Sequence, residues 1–172
     1  MDTRPLTAQV EVRIAAAPER VWEFASDIAV PARFSGELQQ VEWLDGAEAP
    51  RVGARFTGRN RNKDVGEWST TCELVEVHPP QTLAWQVLGA DEALATWRFD
   101  LIPDGPEATL LRHRVRTGPG RTPLDDFIAR RPDKKEKVIQ YRRNILETNM
   151  RATAEGIRGL AEGTEYPAGR TA

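Results

Sequence analysis

The chain has 172 residues, 40% of them hydrophobic, enough for one domain that buries about two-thirds of its unfolded surface and too few to expect two. Its 24 basic and 26 acidic residues leave a formal net charge of −2, so no overall field draws it to nucleic acid or to an anionic membrane, and only a local basic patch stays open. The single cysteine, Cys72, excludes an internal disulfide and a multi-cysteine metal site; the charged opening MDTRPLTAQVEVR and the absence of any 18-residue apolar run lead us to expect a soluble, cytoplasmic protein.

Ala8 to Ile14 alternates, with Ala8, Val10, Val12 and Ile14 against Gln9, Glu11 and Arg13, which predicts a half-buried strand ending at a turn. From Pro18, PERVWEFASDI sets Val21, Trp22, Phe24, Ala25 and Ile28 at helical spacing behind a first-turn proline, and a second short helix broken by Pro31 carries Phe34. Six more strands are predicted at Leu38 to Leu44, Val52 to Arg61, Val65 to His78, Thr82 to Leu88, Ala93 to Ile102 and Ala108 to Thr117. The connections RNKD, HPPQ, GADE and PDGPE are short and turn-like, so these strands should pair antiparallel as a meander.

Beyond the Gly- and Pro-rich GPGRTP comes a short apolar piece, Leu124 to Ala129, suited to capping something. Asp133 followed by Glu136 has the form of a capping box, and helical character then runs to Gly163, about 29 residues or roughly 44 Å. On a helical wheel Gln140, Asn144, Glu147, Arg151, Glu155, Arg158 and Glu162 form a solvated face, with Glu147–Arg151 and Arg158–Glu162 at spacing four. The other arc, from Val138, Ile139 and Tyr141 to Ile157 and Leu160, is apolar, tolerates Gly156, and yet contains Arg142, Asn149 and Thr153, which a dry interface would not select. A single domain over residues 1–163 with a disordered tail at 164–172 is expected.

A strand, two short helices, six antiparallel strands and a long amphipathic helix pack most simply as a curved sheet gripping the helix, an α+β helix-grip fold. The motifs AAAPERVWEFASDI, EWSTTCELVEVHPPQTLAWQV, ATWRFDL and NMRATAEGIRGLAE, which together cover nearly all of residues 7 to 163, resemble the START-related SRPBCC superfamily and its polyketide cyclase/dehydratase-like branch. The resemblance implies a cavity between sheet and helix that takes a hydrophobic small molecule, polyketide-like, aromatic or lipid-like, and cyclises or dehydrates it. Superfamily members also suggest a non-catalytic carrier or sensor, and a protein-interaction module of the chaperone-activator type. No cofactor, nucleic acid or integral membrane partner is expected, and the protein should be a monomer or homodimer.

Alternation also selects the cavity wall. In EWSTTCEL one face holds Trp68, Thr70, Cys72 and Leu74, an indole, a hydroxyl and a thiol where a solid core prefers aliphatic residues. Phe56, Gly58 and Asn60 join it from one neighbouring strand, and Leu83 and Trp85, Trp97 and Phe99, and His113 from the others. Phe34, Tyr141, Arg142 and Asn149 are expected to reach the same space from the helices. His113, between Leu111 and Val115, is the candidate acid or base, because imidazole titrates near neutrality; no inward carboxylate is in view to orient it. Cys72 should only line the wall, His78 should sit in an exposed turn, and no metal site is expected. Arg112, Arg114 and Arg116 make an outward stripe that Glu11, Glu73 and Asp100 are placed to neutralise.

Overall fold

Alternating burial along Thr7–Ile14 makes β1, whose even-numbered residues are buried and odd-numbered ones exposed. In the computed structural model, which describes residues 5–164, the chain then forms α1 (Pro18–Ala25), α2 (Val30–Phe34), β2 (Leu38–Trp43), β3 (Arg55–Asn62), β4 (Gly66–His78), β5 (Thr82–Leu88), β6 (Ala93–Pro103), β7 (Thr109–Thr117), α3 (Pro123–Arg130), a 3-10 turn at Pro132–Lys134, and α4 (Lys135–Glu162). The expected tail falls outside the described residues except for Thr164, whose N–H bonds to the Gly159 carbonyl at 2.9 Å.

The seven strands form one antiparallel sheet in the order β1-β7-β6-β5-β4-β3-β2, a meander closed by the first strand returning beside the last. This is the helix-grip arrangement, with α4 packed most closely on β1, α1 and α2. Because β1 is a sheet edge, its unpaired backbone groups need a cover, and α4 supplies part of it. At one end Arg143 donates to the Thr7 carbonyl (3.1 Å), and at the other the Ala15 N–H donates to the Glu162 carboxylate (2.8 Å), so helix and strand run side by side in the same direction.

The start of α4 differs from the sequence expectation. Asp133 does not cap it; its carboxylate pairs with Arg131 at 3.0 Å, and the chain enters α4 through the 3-10 turn. On the solvated face Arg158 pairs back with Glu155 (2.7 Å), leaving Glu162 free to hold Ala15. Gly163 ends the helix in the left-handed conformation at φ 70°, the stop expected of it.

Gly156 is where α2 meets α4. A methyl group there would come within 2.3 Å of the Phe34 ring, so the ring lies directly on the helix backbone and only hydrogen fits. Gly156→Ala gains about 1 kcal/mol of helix propensity but overpacks this contact by more. It should therefore destabilise the fold by about 1–2 kcal/mol in urea unfolding, and Phe34→Ala in the same chain should relieve most of that loss.

On the convex face two of the three expected acids, Glu11 and Asp100, neutralise the arginine stripe, while Glu73 pairs instead with Arg55. Arg112 pairs with Glu11 and Arg114 with Asp100, both at 2.7 Å, while Arg98 bridges Asp100 and Glu76. Burial alone would raise the Asp100 carboxyl, yet the hydrogen bonds from Arg98 and Arg114 outweigh it and hold it below the usual carboxylate range.

Candidate functional site

Register brings the predicted wall together. Asn60 lies opposite Trp68, Gly58 opposite Thr70 and Phe56 opposite Cys72 across β3 and β4. Further along the sheet, Leu74 faces Trp85, Trp85 faces Trp97, Phe99 faces His113, and His113 faces Val10. The period-two pattern thus places Phe56, Asn60, Trp68, Thr70, Cys72, Trp85, Trp97, Phe99 and His113 on one continuous concave surface.

Exposure grades along that surface. Towards one end Leu74, Leu83, Phe99, Leu101 and Leu111 are buried to 3% or less. Towards the other, where the β3–β4 and β5–β6 turns lie, Asn60, Trp68, Thr70, Ala95 and Trp97 are only half-buried. The sheet is filled at its base and open at its turn end, and the open end is the part with hydrogen-bonding side chains.

His113 sits at the boundary between the two zones. Its ring lies 4.2 Å from the Phe99 ring, 5.5 Å from Trp97 and 6.4 Å from Trp85, and the two indoles stack nearly parallel at 6.2 Å. The residue is 4% exposed, and neither ring nitrogen has a hydrogen-bond partner among the described residues. Burial pushes its pKa from 6.5 down to about 3; the Met150 main chain opposes this slightly but makes no hydrogen bond of normal geometry with it. At neutral pH the ring is an uncharged imidazole with one donor and one acceptor both unused.

Cys72 is 4% exposed, and burial raises its thiol to about 11, with only a 3.9 Å contact to the Thr70 hydroxyl opposing. A thiol so protonated is a poor nucleophile, consistent with a lining role. Asn60 and Thr70 both turn their polar atoms to the Gly58 carbonyl, at 3.4 and 3.5 Å.

The four helix residues occupy different ground. Phe34 is seated on Gly156. Asn149 accepts the Gly36 N–H at 2.9 Å, fastening the end of α2 to α4. Tyr141 is 48% exposed and donates to Asp64 in the β3–β4 turn at 2.8 Å, a bond that raises its phenol pKa. Arg142 is engaged on both arms by the Glu37 carboxylate, which also accepts from Asn62 at 2.8 Å.

Glu37 is the residue that sequence reasoning passed over. It is 9% exposed, and its carboxylate is committed to Arg142 and Asn62, not to His113. Lying before β2 in the Ser-Gly-Glu loop, outside any alternating run, it carries no pattern that marks it as buried; only its pairing with Arg142, 105 residues away, does. Two depressions also lie along the outer side of α4, one of about 610 Å³ beside Gln9 and Arg151 and one of about 310 Å³ beside Tyr141 and Asn149. Neither is lined by His113 or the concave aromatics. Among the described residues no group of three His, Cys, Asp or Glu side chains is arranged to hold a metal ion, and no helix is long and apolar enough to cross a membrane.

The sequence profile of the family described as "Polyketide cyclase / dehydrase and lipid transport" matches residues 5–155. The chain belongs to that family. Its expected SRPBCC-type membership and helix-grip fold are thereby both established. Among solved structures, the Polyketide_cyc-like protein Cgl2372 of Corynebacterium glutamicum is 27% identical, with a TM-score of 0.63 and 93% of each chain covered. The Zhui aromatase/cyclase of Streptomyces sp. R1128 is 17% identical, with a TM-score of 0.64, covering 95% of this chain and 97% of its own. The di-domain ARO/CYC BexL of the BE-7585A biosynthetic pathway is 22% identical at a TM-score of 0.66; the present chain covers 51% of it, about one of its two domains. At these identities the last two likenesses concern the fold. No curated protein sequence matches the chain.

Proposed function

We propose that the protein binds a hydrophobic small molecule, aromatic, polyketide-like or lipid-like, on the concave surface between sheet and α4, and that His113 reads one polar atom of it. The observation that carries this reading is the buried, neutral, doubly unpartnered imidazole in a wall of three aromatic rings. Leaving two buried polar atoms without partners costs about 1–3 kcal/mol each, a cost that a ligand carbonyl or hydroxyl at the ring would relieve. Family membership and the half-buried polar residues at the turn end, Asn60 and Thr70, support the same reading.

A histidine whose conjugate acid has a pKa of about 3 carries no acidic imidazolium proton at neutral pH and is a weak base. That favours binding and carriage over acid–base turnover, with cyclisation or dehydration arising where the wall holds a flexible chain folded on itself. The test is native mass spectrometry of protein purified from its own host, followed by extraction and timed incubation of what it retains. A retained apolar compound that stays unchanged supports carriage, and one converted with time supports an enzyme. His113→Leu should weaken its binding by about tenfold, the worth of one buried hydrogen bond. If the wild-type protein retains nothing and binds no aromatic or acyl probe, the reading fails.

A further inference from the structure

We propose that α3 and the basic segment following it form a docking surface for an anionic lipid bilayer, at the open end of the sheet. The surface stands on its own residues and holds whether or not the concave wall takes a ligand. Leu124, Phe127 and Ile128 fall within about 100° of one another around α3, while Asp125 and Asp126 point away. No residue of α3 is buried, and Phe127 is 42% exposed, so this apolar arc is only half covered by its own protein.

The next residues read RRPDKKEK, positions 130–137, five basic and two acidic. A net charge of +3 is concentrated in eight residues of a chain whose total is −2, which leaves −5 on all the rest. Arg131 is taken by Asp133, but Lys134 and Lys137 have no ion-pair partner among the described residues. The local run of basic charge that overall composition left open is therefore present, and it follows the exposed Phe127 within a few residues of chain.

The attachment of this segment is firm although its helix is not buried. The Gly118 N–H bonds to the Leu94 carbonyl (2.8 Å) and the Gly120 N–H to the Ala93 carbonyl (3.0 Å), suspending α3 from the start of β6, beside half-buried Ala95 and Trp97. A methyl group on Gly118 would meet the Ala93 carbonyl oxygen at 2.1 Å, so the close approach depends on glycine. Thr122 and Asp125 fasten the start of the helix, with the Thr122 N–H and hydroxyl both donating to the Asp125 carboxylate.

An apolar arc beside a cationic run fits a lipid interface, where the ring enters the acyl boundary and the lysines meet anionic headgroups. Nucleic acid would satisfy the charges but offers no apolar phase for an aliphatic arc.

The experiment is co-sedimentation of the full chain with vesicles of phosphatidylcholine, with and without phosphatidylglycerol, at low and high salt. The protein should pellet with the phosphatidylglycerol vesicles and be released by salt. Lys134→Glu with Lys137→Glu, and separately Phe127→Ser, should each weaken binding by about tenfold or more. These side chains are exposed, so unchanged circular dichroism and melting will show that the variants are folded. No sedimentation with phosphatidylglycerol vesicles overturns the proposal. So does binding that both variants retain, or binding of an RNA oligonucleotide that outcompetes the vesicles and survives Phe127→Ser.

Discussion

Between pH 6.5 and about 3 the fold should lose about 5 kcal/mol of stability through His113 alone. The ring is held neutral in the folded state down to about pH 3, whereas in the unfolded chain it takes up a proton near its ordinary value of 6.5. Above pH 6.5 both states carry a neutral ring and the residue contributes no pH dependence. As pH falls below 6.5 the unfolded state alone gains the proton, and stability drops by about 1.4 kcal/mol per pH unit until the folded ring also titrates. Urea unfolding at intervals from pH 7.5 to 4 measures the slope.

His113→Leu should remove this slope and, by deleting two unpartnered buried nitrogens at similar volume, leave the ligand-free protein as stable at pH 7 or about 1 kcal/mol more stable. A stabilised variant with weakened ligand binding would mark His113 as kept for function at the expense of the fold. An acid limb identical in wild type and variant would show that the ring is not desolvated in solution.

Arg142→Met should cost about 3 kcal/mol, the low end for breaking a buried ion pair, because it strands the Glu37 carboxylate with Asn62 as its remaining side-chain partner. Arg142 keeps 28% of its side chain exposed and Glu37 12%, so the loss comes chiefly from the acid. Adding Glu37→Gln should recover most of it, since no buried charge then remains. Equilibrium unfolding of both singles and the double variant gives the coupling directly. A single-variant cost of about 0.5 kcal/mol or less would reduce the pair to a surface contact.

The strands, their antiparallel order and the concave face were legible because alternation reports which side of a pleat each residue takes. His113, Phe99 and Trp97 followed from nothing more than that period. The same reasoning placed the end of α4 at Gly163 and put Glu11 and Asp100 on the face of the arginine stripe. It failed at contacts between elements. Tyr141, on the apolar arc of the wheel, turns outward because Asp64 in the β3–β4 turn accepts its hydroxyl. Arg142, which a wheel offers to a ligand, is already bound by Glu37.

By itself the sequence determined a helix-grip domain with an aromatic wall, because secondary-structure periods and short connections are properties of neighbouring residues. Tertiary structure alone decided how that wall is charged and closed. Whether His113 loses its solvent, whether Glu37 is drawn inside by Arg142, and whether Gly156 must stay bare beneath Phe34 all depend on groups from other elements, some more than 100 residues away. Burial and desolvation are set by everything that arrives around a side chain, and no local pattern encodes that sum.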